Sequence, residues 1–121
     1  MYLTYEEYRT YSDEIQDEAI FNKIEKRQEQ SIDILTFNRI QDFTKLSAFN
    51  QSIIKECLVD LCNFYYNNEE YVNSYLNKYS INGVSVDFNN TNSNITTVNG
   101  IVILKSTYSN LLRSNLAQLV L

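Results

Sequence analysis

The chain is 121 residues long, a length that predicts one domain. Hydrophobic residues make up 44% and aromatics 13%, enough for a modest core, while a formal net charge of −5 argues against a dedicated duplex-DNA binder, which carries a basic patch. The absence of histidine removes the commonest acid–base residue and metal ligand, and with no proline and only two glycines the chain has few helix breakers.

Thr4-Tyr5-Glu6-Glu7 is a capping box, with Thr4 at the N-cap and Glu7 at N3, and predicts a short helix over 5–10. Ser12 and Asp13 mark a break. Asp17 fits the N-cap of a second helix over 18–36, and Glu18 suits its first turn. Ile20, Phe21, Ile24, Ser31, Ile32 and Leu35 share one face at helical spacing. Gln28 falls in the middle of that face, where a buried amide calls for a hydrogen-bond partner. Lys23, Glu25, Lys26, Arg27 and Glu29 are expected to cover the remaining faces. Asn38, tolerant of the left-handed conformation, is the expected stop.

Ser47 caps a third predicted helix over 48–66. Its apolar arc of Ile53, Ile54, Cys57, Leu58, Leu61, Phe64 and Tyr65 spans close to half the circumference, so it predicts packing against more than one element. Asn67 and Asn68 predict a break or kink before a fourth helix over 69–78. Beyond residue 80 the pattern changes. Asn82-Gly83 is a turn signal, and Val84, Val86 and Phe88 alternate with Ser85 and Asp87 as in a strand. A polar loop over 89–94 precedes a second short strand within 95–104, with Asn99-Gly100 as another turn. Leu111, Leu112, Leu116 and Leu119 then predict a helix over 106–119, ending in an apolar tail.

The expected fold is mainly α, in one domain over 1–121. A small helical bundle spans about 4–79, a short β-hairpin or extended loop about 80–104, and a C-terminal helix and tail about 105–121. Ile24, Leu35, Ile54, Leu58 and Leu61 are the expected core. No charged-then-apolar leader opens the chain and no apolar run approaches the roughly 18 residues of a membrane span, so a soluble protein made in a cytoplasm is expected. Charge is uneven: residues 1–87 hold all 15 acids and 8 of the 10 bases, while 88–121 hold only Lys105 and Arg113. An acidic body and a weakly basic, leucine-rich end could associate head to tail.

Signals for chemistry are sparse. A cysteine nucleophile would lack a histidine base, and the two glycines are isolated, so no phosphate-binding loop is present. Cys57 and Cys62 lie five apart, about 140° around a helix, too far apart for a disulfide and without zinc spacing; both read as core filler. Glu29 with Asp33, and Glu56 with Asp60, are four apart and could hold a metal, but four-helix carboxylate sites add Glu-x-x-His, which is missing. A solvated polar face is the plainer reading. Tyr2, Tyr5, Tyr8 and Tyr11 recur every three residues, either as an interface stripe or as aromatics closing a small core. No cofactor and no catalytic activity are expected.

Met1-Tyr2-Leu3-Thr4-Tyr5-Glu6-Glu7-Tyr8 resembles the opening of the head–tail connector (adaptor, or head-completion) proteins of long-tailed bacteriophages. In that family the next helix ends in a segment like Ile32-Asp33-Ile34-Leu35-Thr36-Phe37-Asn38-Arg39-Ile40. A helix such as 53–66 follows, then a turn into a short strand as in Ser80-Ile81-Asn82-Gly83-Val84-Ser85-Val86, and a last helix with Leu111-Leu112. Family members often carry a small residue where Gln28 stands, and a C-terminal glycine and aromatic–arginine pair that this chain lacks. The resemblance implies a homo-oligomeric ring, commonly twelvefold, beneath the portal protein. Such a ring extends the DNA channel and docks the next connector, stopper or tail protein, without specific DNA binding and without a membrane. On this basis Glu56, Asp60, Glu69 and Glu70 are candidates for an acidic channel wall, and Leu116, Leu119, Val120 and Leu121 for contact with the portal or a neighbour. The resemblance places the protein in the neck of the virion, and in host cytoplasm before assembly. The alternatives are a small helical protein–protein adaptor outside any virion, a helix-turn-helix DNA-binding regulator, and a carboxylate metalloenzyme.

Overall fold

Local side-chain to backbone bonds start each of the first three helices. The structure, a computed structural model, describes the backbone of residues 1–82 and 94–118 and the side chains of 1–69 and 94–118. Helix α1, Tyr5–Tyr11, opens on the expected capping box: Thr4 Oγ1 accepts from the Glu7 N–H, and Glu7 Oε1 accepts from the Thr4 N–H at 3.1 Å. Helix α2, Glu18–Leu35, is capped by Asp17, whose carboxylate accepts from the Ile20 N–H at 3.1 Å. Helix α3, Ala48–Asn82, begins at Ser47, whose hydroxyl accepts from the Asn50 N–H at 3.1 Å.

Helix α2 ends in a Schellman motif. The Asn38 N–H reaches the Asp33 carbonyl at 2.8 Å, and the Phe37 N–H reaches that of Ile34 at 3.1 Å. Phe37 and Asn38 both have φ of 57°. Asparagine tolerates this conformation, whereas an aromatic residue does so only under strain. A 3-10 turn, Phe43–Lys45, leads into α3. The expected break in α3 is a kink at Asn68 (φ −134°, ψ 26°), where the Asn68 side chain donates to the Phe64 carbonyl at 3.0 Å. The two helices expected over 48–66 and 69–78 thus meet at this kink within α3.

Strands β1, Ile95–Val98, and β2, Ile101–Leu104, form an antiparallel hairpin in which Val98 pairs with Ile101 across Asn99-Gly100. Both turn residues have positive φ, 51° and 82°, the requirement of a type I′ turn. The single strand expected over 95–104 is thus two. The strand expected over 84–88 lies outside the described residues. Helix α4, Lys105–Leu112, is shorter than the predicted 106–119. Its extension is interrupted by a turn in which Ser114 Oγ donates to the Leu111 carbonyl at 2.7 Å and Asn115 takes φ of 63°.

Among the described residues the fold is mainly helical with one small hairpin. The core lies where α2 packs on α3, closed by α1 on one side and by β2 and α4 on the other. Ile24, Leu35, Ile54, Leu58 and Leu61 are all buried there, together with Leu3, Tyr8, Phe21 and Ile103. Two expectations on α2 fail. Ile20 is 42% exposed, on the rim of a groove shared with Tyr65, Tyr66 and Glu69. Glu25, expected on the surface, is buried, because the N-terminal segment returns across it.

Candidate functional site

The tyrosines of the opening segment mostly close the core. Tyr8 is fully buried; its hydroxyl donates to Asn63 Oδ1 on α3 and accepts from the Ile15 N–H at 3.1 Å. Its ring meets Phe21 at 4.7 Å between centroids. Glu7 pairs with Lys55 of α3, which holds the Glu7 carboxyl below its ordinary range. Tyr5 and Tyr2 are partly buried against the same core, and only Tyr11 of the four is exposed.

Residues 1–3 run along α2. Tyr2 donates its N–H to Glu29 Oε1 at 2.5 Å and its hydroxyl to Asp33 Oδ1 at 2.7 Å, and Leu3 donates its N–H to Glu25 Oε2 at 3.3 Å. Burial first, then the Asp33 carboxylate, push the Tyr2 hydroxyl well above its usual range. Glu25 is 1% exposed, and burial followed by the charge of Glu29 raises it to about 7. The spacing of Glu25, Glu29 and Asp33 by four was visible in sequence. That the distant N-terminal segment would claim all three, by two backbone N–H groups and one tyrosine hydroxyl, was not.

Of the four candidate channel acids, the three whose side chains are described do not share one face. Asp60 accepts from Thr107 Oγ1 of α4 at 3.3 Å, with Glu56 one turn away on the same flank. Burial, opposed by the Thr107 hydrogen bond and aided by Glu56, raises the Asp60 carboxyl. Glu69 lies nine residues beyond Asp60, about 180° around the helix and past the kink, beside Tyr65 and the groove of Ile20 and Lys23. The side chain of Glu70 is outside the described residues.

Of the candidate contact residues, Leu116 is half-buried against the core. Its carbonyl accepts from Arg39 Nη1 at 2.9 Å, and the Gln118 carbonyl accepts from the same nitrogen at 2.5 Å. The Arg39 guanidinium also lies 4.9 Å from the centre of the Phe37 ring, which is 39% exposed. Arg39 thus joins the end of α2 to the C-terminal segment, a role that nothing local in the sequence announces. Leu119, Val120 and Leu121 lie outside the described residues.

Cys57 and Cys62 are buried and free. Burial pushes the Cys57 thiol up to about 12 and raises Cys62 as well, which leaves both protonated and poor nucleophiles. Gln28 is buried on a cleft of about 70 Å³ between α2, α3 and the hairpin turn. The hydrogen-bond partner expected for its amide is not found among the described residues; the side chain lines the cleft instead. The described residues contain no group of three or more histidine, cysteine, aspartate or glutamate side chains placed to hold a metal. They also contain no helix long and apolar enough to cross a membrane. No family model matches the sequence, and neither a curated protein nor a solved structure matches it.

Proposed function

We propose that this chain is a structural virion protein of a long-tailed bacteriophage, forming a ring beneath the portal that extends the DNA channel and joins capsid to tail. On this reading it performs no catalysis and needs no cofactor. Its partners are further copies of itself, twelve in a full ring, the portal protein, and a downstream connector, stopper or tail protein. DNA passes through the ring without specific binding. The protein waits in host cytoplasm and ends in the neck of the virion.

The reading is supported by what two of the segments that carry the resemblance do. Tyr-Glu-Glu-Tyr fastens α1 to α3 through Tyr8 with Asn63 and Glu7 with Lys55. Thr-Phe-Asn-Arg ends α2 and, through Arg39, fixes the carbonyls of Leu116 and Gln118. Residues that fasten a fold in this way are the ones a structural family would share. Gln118 is exposed at the point where the leucine-rich end begins.

A second reading, a helical protein–protein adaptor outside any virion, is favoured by the groove between α2 and α3. Ile20 and Tyr66 are exposed on it, beside Lys23 and Glu69. A helix-turn-helix regulator finds no such support, given the net charge of −5. Negative-stain imaging of the protein mixed with the portal encoded nearby, with each alone as control, separates the two readings. A new ring layer on the portal is the expected result. Absence of binding across a range of salt, with both proteins folded, overturns the connector reading in favour of the adaptor.

A further inference from the structure

The row of carboxylates under residues 1–3 has one member unlike the others. Glu25, Glu29 and Asp33 are spaced by four and so line one side of α2. Glu29 and Asp33 receive Tyr2 at the edge of the body, and the Tyr2 ring stacks on Phe43 with centroids 5.0 Å apart. Glu25 receives the Leu3 N–H from beneath the segment, where Leu3 itself is fully buried. Glu25 Oε1 has no hydrogen-bond partner; it is the one buried side-chain oxygen or nitrogen in that state among the described residues. An ionised Glu25 would therefore hold a negative oxygen out of water and without a donor, one turn from the charge of Glu29.

We propose that Glu25 is a proton-operated latch for the N-terminal segment: with its proton in place residues 1–3 stay docked on α2, and loss of that proton to solvent frees the segment and uncovers the seat of Leu3. Releasing the segment withdraws Leu3 and Tyr2 from Glu25, a route for water to the ionised carboxylate that leaves the α2–α3 core closed. The groups that face Glu25 are Glu29 on its own helix, the Met1 amino group and Tyr2 from the segment, and the Cys62 thiol from α3. Asp33 stands two turns further along. The repulsion from Glu29 opposes the Leu3 and Tyr2 N–H groups and the amino group, and with burial the balance sets the latch near neutral pH. The inference is independent of the connector reading.

The test is backbone ¹⁵N relaxation of Tyr2 and Leu3 between about pH 5.5 and about pH 8.5, with Ile54 and Leu58 as core references. The two N-terminal amides should be as ordered as the core at the acidic end and lose that order with a one-proton midpoint, while the references stay unchanged. Glu25→Gln, which keeps the acceptor for Leu3 and cannot ionise, should hold both amides ordered throughout. Equal order at both ends of the range in the unaltered chain overturns the proposal, as does a Glu25→Gln chain that loses order at the same midpoint. Should Glu25→Gln not fold, Glu29→Gln serves instead. It keeps an acceptor for Tyr2 and removes the repulsion, so the midpoint should move to lower pH; an unmoved midpoint counts against the latch.

Discussion

At the scale of single residues, buried polar groups decide the most. Glu25 has its folded-state value raised to about 7 from an ordinary 4.5, so the folded chain binds more protons than the unfolded one between those values. Its contribution is fully present below the unfolded value and is lost as pH rises through the folded one. Relative to Glu25→Gln, the native chain should therefore melt progressively lower as pH rises from about 4.5 to about 8. A melting difference that stays flat across that range would mean Glu25 is not protonated in the fold. Tyr8 makes a second case. Its hydroxyl serves Asn63 and the Ile15 N–H together, so Tyr8→Phe leaves an unpaired buried donor at Ile15 and should cost about 1–3 kcal/mol by denaturant titration. Neither role was legible in sequence. Tyr8 and Asn63 are 55 residues apart, and Leu3 and Glu25 are 22 apart, so the partner of each is set by how the helices pack and not by local pattern.

At the scale of elements, the legible features were those whose cause lies within a few residues. Thr4, Asp17 and Ser47 cap helices because their oxygens reach N–H groups three residues ahead. Asn68 kinks α3 because its side chain competes for the carbonyl four residues back. The length of α4 was not legible, since the leucine spacing continues to Leu119 while the backbone turns at Ser114 and Asn115. Nor was the left-handed Phe37, which occupies a position that glycine usually fills and is covered on one side by Arg39. The hairpin turn allows a clean test of backbone conformation. Gly100 has φ of +82°, and a methyl group there would meet nothing within 4 Å. Gly100→Ala should therefore cost only the conformational penalty, about 1–2 kcal/mol, with unchanged core packing. A melting temperature equal to that of the native chain would show that the turn relaxes to another type.

At the scale of the whole molecule, the connector reading assigns folding and assembly to different parts of the chain. Ile54 and Leu61 are buried in the core on α3, so Ile54→Asp or Leu61→Asp buries an unpaired charge and should unfold the chain; an unchanged melt would place the core elsewhere. The C-terminal segment is subtler. Ala117 is 3% exposed, and the carbonyls of Leu116 and Gln118 are the two acceptors of Arg39. A cut before Leu116 would remove this packing and strand a guanidinium that bridges two parts of the chain, lowering stability by about 1.5–3 kcal/mol through the lost charge-assisted bonds alone. It would therefore confound a folding defect with an assembly defect. A cut after Gln118 removes Leu119, Val120 and Leu121 and leaves every described contact in place. The shorter deletion keeps the Arg39 contacts and should remain folded, and on the connector reading it should fail to add a layer to the portal. The longer deletion should melt lower whether or not it assembles. Full assembly by the chain ending at Gln118 would move the portal contact off the three terminal residues and onto the surface that Arg39 organises, where Phe37 is the exposed aromatic.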